Sequence, residues 1–275
     1  TTDFVPVEYP VTSTKDSRPY RLTIDSNYVW FTERGADRIG RLNALTHQID
    51  EFYDHGLSSN AGLADIKIAP DGRVWATAQW SNRLVQLTIT SIVDYAFSEY
   101  TDPLLISPFG LAIESNDAIW VASSGGHEIG RFMPSFNNSF FWSHLLPSDS
   151  APTELTYSFI DTGKPHSEVW FSDRARNGLG LLFLSTLPTV SYFNPITQAT
   201  GLARESQNVF WLTQQDQQGS VARVIISDAL SSQIDSYLLP TLGMVPTSIA
   251  VAPDHGVWLT AYVPNRVYLP TILRN

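Results

Sequence analysis

VWFTERGADRIGRLN (residues 29–43) holds two runs of β-favouring residues separated by a polar turn. Its first run ends on an acid and a base, Glu33 and Arg34. The pair marks either the edge of an active site or one unit of something built by repetition, and the rest of the chain decides between them.

Trp30 recurs in frame. VWFTE is followed by VWATA at Trp75, IWVAS at Trp120, VWFSD at Trp170, FWLTQ at Trp211 and VWLTA at Trp258, with spacings of 45, 45, 50, 41 and 47 residues. That period belongs to four-stranded propeller blades rather than to helical or leucine-rich repeats. About ten residues before each Trp stands another short run (PYRLTID, LADIKIA, PFGLAIE, PTELTYS, ATGLARE, PTSIAVA), and a third follows it (DRIGRLN, NRLVQLT, HEIGRFM, NGLGLLF, GSVARVI, NRVYLPT). Only five aromatic fourth runs occur, ending with IDSYLLP, and TTDFVPVEYP at the N-terminus resembles them.

The expectation is therefore an all-β, six-bladed β-propeller of four-stranded antiparallel blades, with the N-terminal strand completing the last blade and closing the ring. The blades fall at about 18–55, 62–100, 107–147, 151–195, 198–240 and 245–270 plus 3–10, in one domain spanning 1–275. The tryptophans in register are read as packing between blades, which leaves Trp80 and Trp142 for other duties.

Charged residues make up 16% of the chain, against about 25% in ordinary soluble proteins. The net charge is −10, and the only lysines are Lys15, Lys67 and Lys164, so no basic face is expected to neutralise nucleic acid. No apolar run reaches the length of a membrane span, so no membrane insertion is expected. Cysteine is absent, which excludes disulfides and thiolate chemistry. The uncharged polar surface, the scarcity of lysine and an N-terminus without Met suggest an exported protein, extracellular or at the cell surface, with a cytoplasmic location as the alternative. Asn137, in NNS, fits the glycosylation acceptor pattern of exported proteins.

VWFTERGADRIGRLN, IWVASSGGHEIGRF and the first strands of pattern P-x-x-L/I-x-I resemble the blades of the virginiamycin B lyase (streptogramin lyase) family over essentially the whole chain. The resemblance implies a propeller. It also implies an elimination reaction with a histidine base and Mg²⁺ held by His and Glu, the histidines following the first-strand Pro and acids standing before such a Pro or three residues after the Trp. Here the residues after the Pro position are Tyr20, Ala64, Phe109, Thr153, Thr200 and Thr247, none a histidine. Three residues past the Trp, only Glu33 and Asp173 keep an acid. An isolated carboxylate supplies neither a base poised near neutrality nor an orienting cation.

Starts of first strands and ends of Trp strands reach one face of the disc. On that face Glu33 and Asp173 are the candidates for catalysis, and Glu33, Asp65, Glu154 and Asp173 for a hard cation such as Ca²⁺ or Mg²⁺. Tyr20, Arg34, Trp80, Phe109, Arg174, Gln214 and Tyr262 are the candidates for ligand binding, since aromatic rings and amides suit a protein or carbohydrate ligand. Three functions compete. The favoured one is a noncatalytic exported recognition, adhesion or assembly module, with self-assembly open to it and no cofactor. The others are a divalent-metal-dependent lyase or lactonase and an intracellular protein-binding scaffold.

Overall fold

The computed structural model describes residues 17–115, 118–134, 139–160, 166–185, 187–216, 219–228, 231–239, 243–251, 257–263 and 266–273. Every element is a strand, and each sheet is an antiparallel meander in chain order. Blade 1 consists of β1 (Pro19–Ile24), β2 (Tyr28–Glu33), β3 (Arg38–Asn43) and β4 (Ile49–Phe52), and blade 2 of β5 (Leu63–Ile68), β6 (Val74–Ala78), β7 (Arg83–Ser91) and β8 (Asp94–Tyr100). Blade 3 is β9 (Pro108–Ser115), β10 (Ala118–Ser123), β11 (Glu128–Met133) and β12 (Ser139–Leu145), and blade 4 is β13 (Pro152–Ile160), β14 (His166–Asp173), β15 (Gly178–Leu184) and β16 (Thr189–Phe193). Blade 5 is β17 (Ala199–Ser206), β18 (Val209–Gln214), β19 (Ser220–Asp228) and β20 (Ser231–Leu238).

The propeller thus has five four-stranded blades, not the six expected. The last sheet, of β21 (Val245–Val251), β22 (Val257–Val263) and β23 (Arg266–Leu273), is three-stranded among the described residues. Counting tryptophans counts sheets and not their strands, and Trp258 marks a sheet with three strands among the described residues. Residues 3–10, expected to complete that sheet and close the ring, lie outside the described residues, as does Asn137.

The core lies between sheets. Trp30 and Phe52 of blade 1 pack with Ile66 and Ala76 of blade 2, and Trp75 of blade 2 with Leu111 and Phe132 of blade 3. Trp120 meets Leu155 and Phe171, Trp170 meets Leu202 and Phe210, and Trp211 meets Ile249 and Leu259. Packing of each Trp against the next sheet therefore holds from Trp30 to Trp211. Trp142 packs within blade 3, edge-on to Trp120 at 5.6 Å between ring centroids.

Four of these indoles also donate to an acid near the lower end of the first two strands: Trp30 to Asp25, Trp120 to Glu114, Trp170 to Glu168 and Trp211 to Glu205. Across the ladder from Trp30, Trp120 and Trp211 stand Arg41, Arg131 and Arg223. The last two pair with the same acids, Glu114 and Glu205. Such a partner offsets the cost of burying an indole N–H; Trp75 is buried with its Nε1 unpartnered.

A second device fixes the channel wall. The start of each first strand is bulged, as between Pro19 and Leu22, Leu63 and Ile66, Pro152 and Leu155, and Ala199 and Leu202. A bulge takes a backbone N–H out of the ladder. The hydroxyl two residues past the Trp accepts it: Thr32 from Arg21, Thr77 from Asp65, Ser172 from Glu154 and Thr213 from Gly201. Three of those hydroxyls then donate to the next blade's first strand, Thr32 to the Ala64 carbonyl, Thr77 to Phe109 and Ser172 to Thr200. One side chain both mends a strand and joins two blades. Blade 3 carries Ala122 at this step, and there Gly110 allows closer approach, since a Cβ on it would overlap the Thr153 carbonyl.

Candidate functional site

Antiparallel order brings the starts of first strands and the ends of Trp strands to one face, with the turns after the Trp strands around the channel mouth. Side chains alternate along a strand, so consecutive residues there have different fates. The fourth residue past the Trp hydrogen-bonds through its N–H to the carbonyl before the Pro position: Arg34 to Arg18, Gln79 to Gly62, Ser124 to Ser107, Arg174 to Ala151 and Gln215 to Gln198. These residues form the rim of the mouth. The third residue past the Trp (Glu33, Ser123, Asp173, Gln214) is buried.

On the rim, blades 1 to 3 build a compact corner. The Arg34 guanidinium lies 4.7 Å from the Tyr20 ring centroid and 5.1 Å from that of Trp80, and it donates to the Gln79 side-chain carbonyl. Gln79 in turn donates to Ser107 at 3.0 Å. Tyr20 meets Phe109 edge-on at 6.0 Å. Trp80 is 49% exposed and lies flat on Gly62, where any Cβ would strike the indole. Burial, with Arg21 close by, holds the Arg34 pKa below its ordinary value. The corner is a cation clamped between two rings with one indole open to solvent, an arrangement that stabilises a guanidinium by cation–π attraction.

Beneath it the channel is filled by charge. Arg21 of blade 1 reaches across to Glu154 of blade 4 at 3.4 Å. Lys67 of blade 2 lies 2.8 Å from Glu154 and 3.0 Å from Asp65. Asp65 also accepts the N–H groups of Ile66 and of Leu111 in the next blade, both at 2.8 Å. Arg21, Asp65 and Glu154 are buried. Two cations balance two anions, so the plug is neutral overall. Burial and the neighbouring Glu154 push the Asp65 pKa up; Glu154 itself, although burial raises it, is held low by Lys67 and Arg21. The adjoining carboxylates hold the Lys67 ammonium charged against its own burial.

Of the candidates for a hard cation, only Asp65 and Glu154 come together, and they close on Lys67 and Arg21. Glu33 and Asp173 each sit inside their own blade. No group of three or more His, Asp or Glu residues among those described could hold a metal ion. The Mg²⁺ that the lyase resemblance implies does not fit these residues, because an ammonium and a guanidinium already hold the two convergent carboxylates and no imidazole accompanies them.

Asp173 accepts the N–H groups of Ala151 at 2.9 Å and Arg176 at 3.1 Å, and lies 3.4 Å from the Tyr192 hydroxyl. Glu33 is fully buried with neither oxygen hydrogen-bonded. Burial and the nearby Glu51, opposed by Arg38, raise its pKa to about 7.

Of the ligand-binding candidates, Tyr20, Arg34, Trp80 and Phe109 are brought together, and Arg174 stands exposed on the rim of blade 4. Gln214 does not reach the mouth: it is turned into blade 5, where it accepts from Ser220 and Ser236. Tyr262 lies near the end of β22 with its side chain outside the described residues. Sequence reasoning missed Arg21 and Lys67 as members of the plug. The signal was present in YRL, ADIKI and TEL, where charges interrupt the innermost, most apolar strands. The described histidines that might have served as bases are engaged elsewhere, His55 against Tyr95, His127 on the Ser150 carbonyl and His166 with Glu168.

No family model and no curated protein matches the chain. Among solved structures, Staphylococcus aureus virginiamycin B lyase superposes with a TM-score of 0.71 at 20% identity, over 96% of this chain and 86% of that one. A streptogramin B lyase gives 0.68 at 19%, over 90% and 92%, and the WD40 repeats of RRP9 give 0.68 at 11%, over 91% and 75%. The likeness is one of fold. The blade resemblance read from the sequence is present in the architecture, and scaffolds of quite different kinds share that architecture.

Proposed function

We propose that this chain is a noncatalytic recognition module, exported to the cell exterior or surface, that holds a partner at the blade 1 to 3 corner of its mouth. The observation that carries this reading is the corner itself: Arg34 clamped by Tyr20 and Trp80, with Phe109 and Gln79 alongside. An exposed indole beside a preorganised guanidinium is the composition of a binding hot spot. The neutral plug below supports the same reading, since its carboxylates are held by cations and lack the freedom of a catalytic base.

The decisive test pairs two measurements on the purified protein. Trp80→Ala should abolish capture of the physiological partner from the culture or cell-surface fraction while leaving the melting temperature within a few degrees. Incubation with a streptogramin B depsipeptide and Mg²⁺ should leave the lactone intact. Ring opening that disappears in Glu33→Ala and Asp173→Ala would replace this reading with a lyase.

A further inference from the structure

Most of the described Lys and Arg side chains sit on a carboxylate: Arg21 and Lys67 in the plug, Arg38 on Glu51, Arg41 on Asp50, Arg73 on Asp71, Arg83 on Glu99, Arg131 on Glu114, Arg176 on Asp149 and Arg223 on Glu205. Arg204 donates to the carbonyls of Ser206 and Gln207. The cations left without an ion-paired acid among the described residues are Arg204, which those carbonyls hold away from the mouth, and Arg18, Arg34 and Arg174, which are all on the mouth. Arg18 and Arg34 are joined through their backbones, and Arg174 occupies the matching rim position of blade 4.

In a protein of net charge −10 this placement is selective. Acids are abundant enough to neutralise every arginine, yet at the mouth Arg34 is given a neutral amide, Gln79, and two aromatic rings. Beneath it Arg21, only 2% exposed and paired with Glu154, has its guanidinium 5.2 Å from the Tyr20 ring and 5.3 Å from that of Phe109, so it backs the corner and leaves Arg34 as the cation at the surface. Planar guanidinium groups with free edges match carboxylates two N–H groups at a time, and the neighbouring rings offer apolar area to whatever flanks the carboxylate.

We infer that the mouth recognises an acidic peptide segment, with a carboxylate on Arg34, an adjacent apolar or aromatic side chain on Trp80, and further carboxylates toward Arg18 and Arg174. This rests on the recognition reading above and specifies its partner. A peptide is favoured over an acidic sugar because the corner has one exposed indole among packed rings, whereas an extended acidic chain engages arginines on both sides of the mouth.

The test uses the whole chain and three fluorescently labelled probes, read by anisotropy: a peptide alternating glutamate with phenylalanine, its glutamine counterpart, and an oligogalacturonate. The acidic peptide should bind and the glutamine peptide should bind at least about tenfold more weakly. Arg34→Gln should weaken the acidic peptide by a similar factor, and Arg174→Gln, on an exposed residue with no fold to disturb, by about threefold, with melting temperatures tracked for both. Equal binding of the glutamate and glutamine peptides, still lost in Trp80→Ala, would overturn the acidic inference and keep the recognition site. Binding of the oligogalacturonate alone would overturn the peptide. Binding of the acidic peptide unaffected by Arg34→Gln, Arg174→Gln and Trp80→Ala would overturn both.

Discussion

Blades 1 and 4 carry an acid at the same step of the same strand, and the two acids live in opposite circumstances. Asp173 caps two backbone N–H groups and has the Tyr192 hydroxyl within reach. Glu33, one methylene longer, has neither carboxylate oxygen hydrogen-bonded. The strand-4 residue two ladders away adds to the difference made by those backbone donors: Gly180 faces Tyr192 in blade 4, and the corresponding Gly40 faces Glu51 in blade 1. A phenol can donate to a carboxylate, while a second carboxylate repels it. Between these blades the plug shows a third outcome, buried acids satisfied by cations from across the channel. Repetition fixes where an acid goes, and its neighbours decide what burial costs.

If counter-charge is what separates the plug from Glu33, removing it should make the plug behave like Glu33. Lys67→Met leaves Asp65 and Glu154 with Arg21 alone, and breaking a buried pair this way costs roughly 3–5 kcal/mol. The loss should be largest near pH 8. It should shrink toward pH 5, because an acid whose folded pKa is raised costs stability above that pKa and is relieved as it protonates. Urea unfolding at the two pH values measures this; an equal loss at both would mean that the lysine stem's packing, not its charge, is what the plug needs.

The reverse substitution is predicted at Glu33. Its folded pKa of about 7 lies above the unfolded value near 4.5, so the cost is full above pH 7 and vanishes below about pH 4.5. At about 1.4 kcal/mol per pH unit, Glu33→Gln should stabilise the protein by up to roughly 3 kcal/mol at pH 8 and by almost nothing near pH 4.5. Asp173→Ala should do the opposite and destabilise by about 1–3 kcal/mol, since the Ala151 and Arg176 N–H groups would lose the carboxylate oxygen that accepts them. Thermal melts across pH for both variants would test the contrast, and a stabilising Asp173→Ala would break it.

How much of this was legible follows the same physics. The blades were, because a buried Trp in an alternating strand between turn residues repeats in sequence as it does in space. The mouth corner was legible in part: Tyr20, Arg34, Trp80 and Phe109 follow from blade register alone. Gln214 and Arg34 were assigned to one face although they are the third and fourth residues past their tryptophans, and strand alternation sends the first inward and the second to the rim. The partners of Glu33 and Asp173 were not legible, since Glu51 and Tyr192 come from strands whose register depends on hairpins of differing length. The sixth four-stranded blade was not legible in the same way: only five fourth runs occur, the sixth was assigned to residues 3–10, which lie outside the described residues, and the last sheet has three strands among those described.

The smallest effect concerns the hydroxyls that tie the blades together, and it separates blades 1 and 4 once more. Ser172 accepts the Glu154 N–H at 3.0 Å, donates to the Thr200 carbonyl at 2.7 Å and also meets the Thr153 hydroxyl at 2.8 Å. Thr32 makes the corresponding two bonds at 3.2 Å each. Removing a buried hydroxyl strands its partners, and the penalty scales with how well they were satisfied. Ser172→Ala should therefore cost about 2 kcal/mol and Thr32→Val about 1 kcal/mol. Hydrogen exchange should locate the difference: the Glu154 amide should lose more protection in the first variant than the Arg21 amide does in the second. Equal losses would mean that the bulged N–H groups, and not the joints between blades, set the contribution of these hydroxyls.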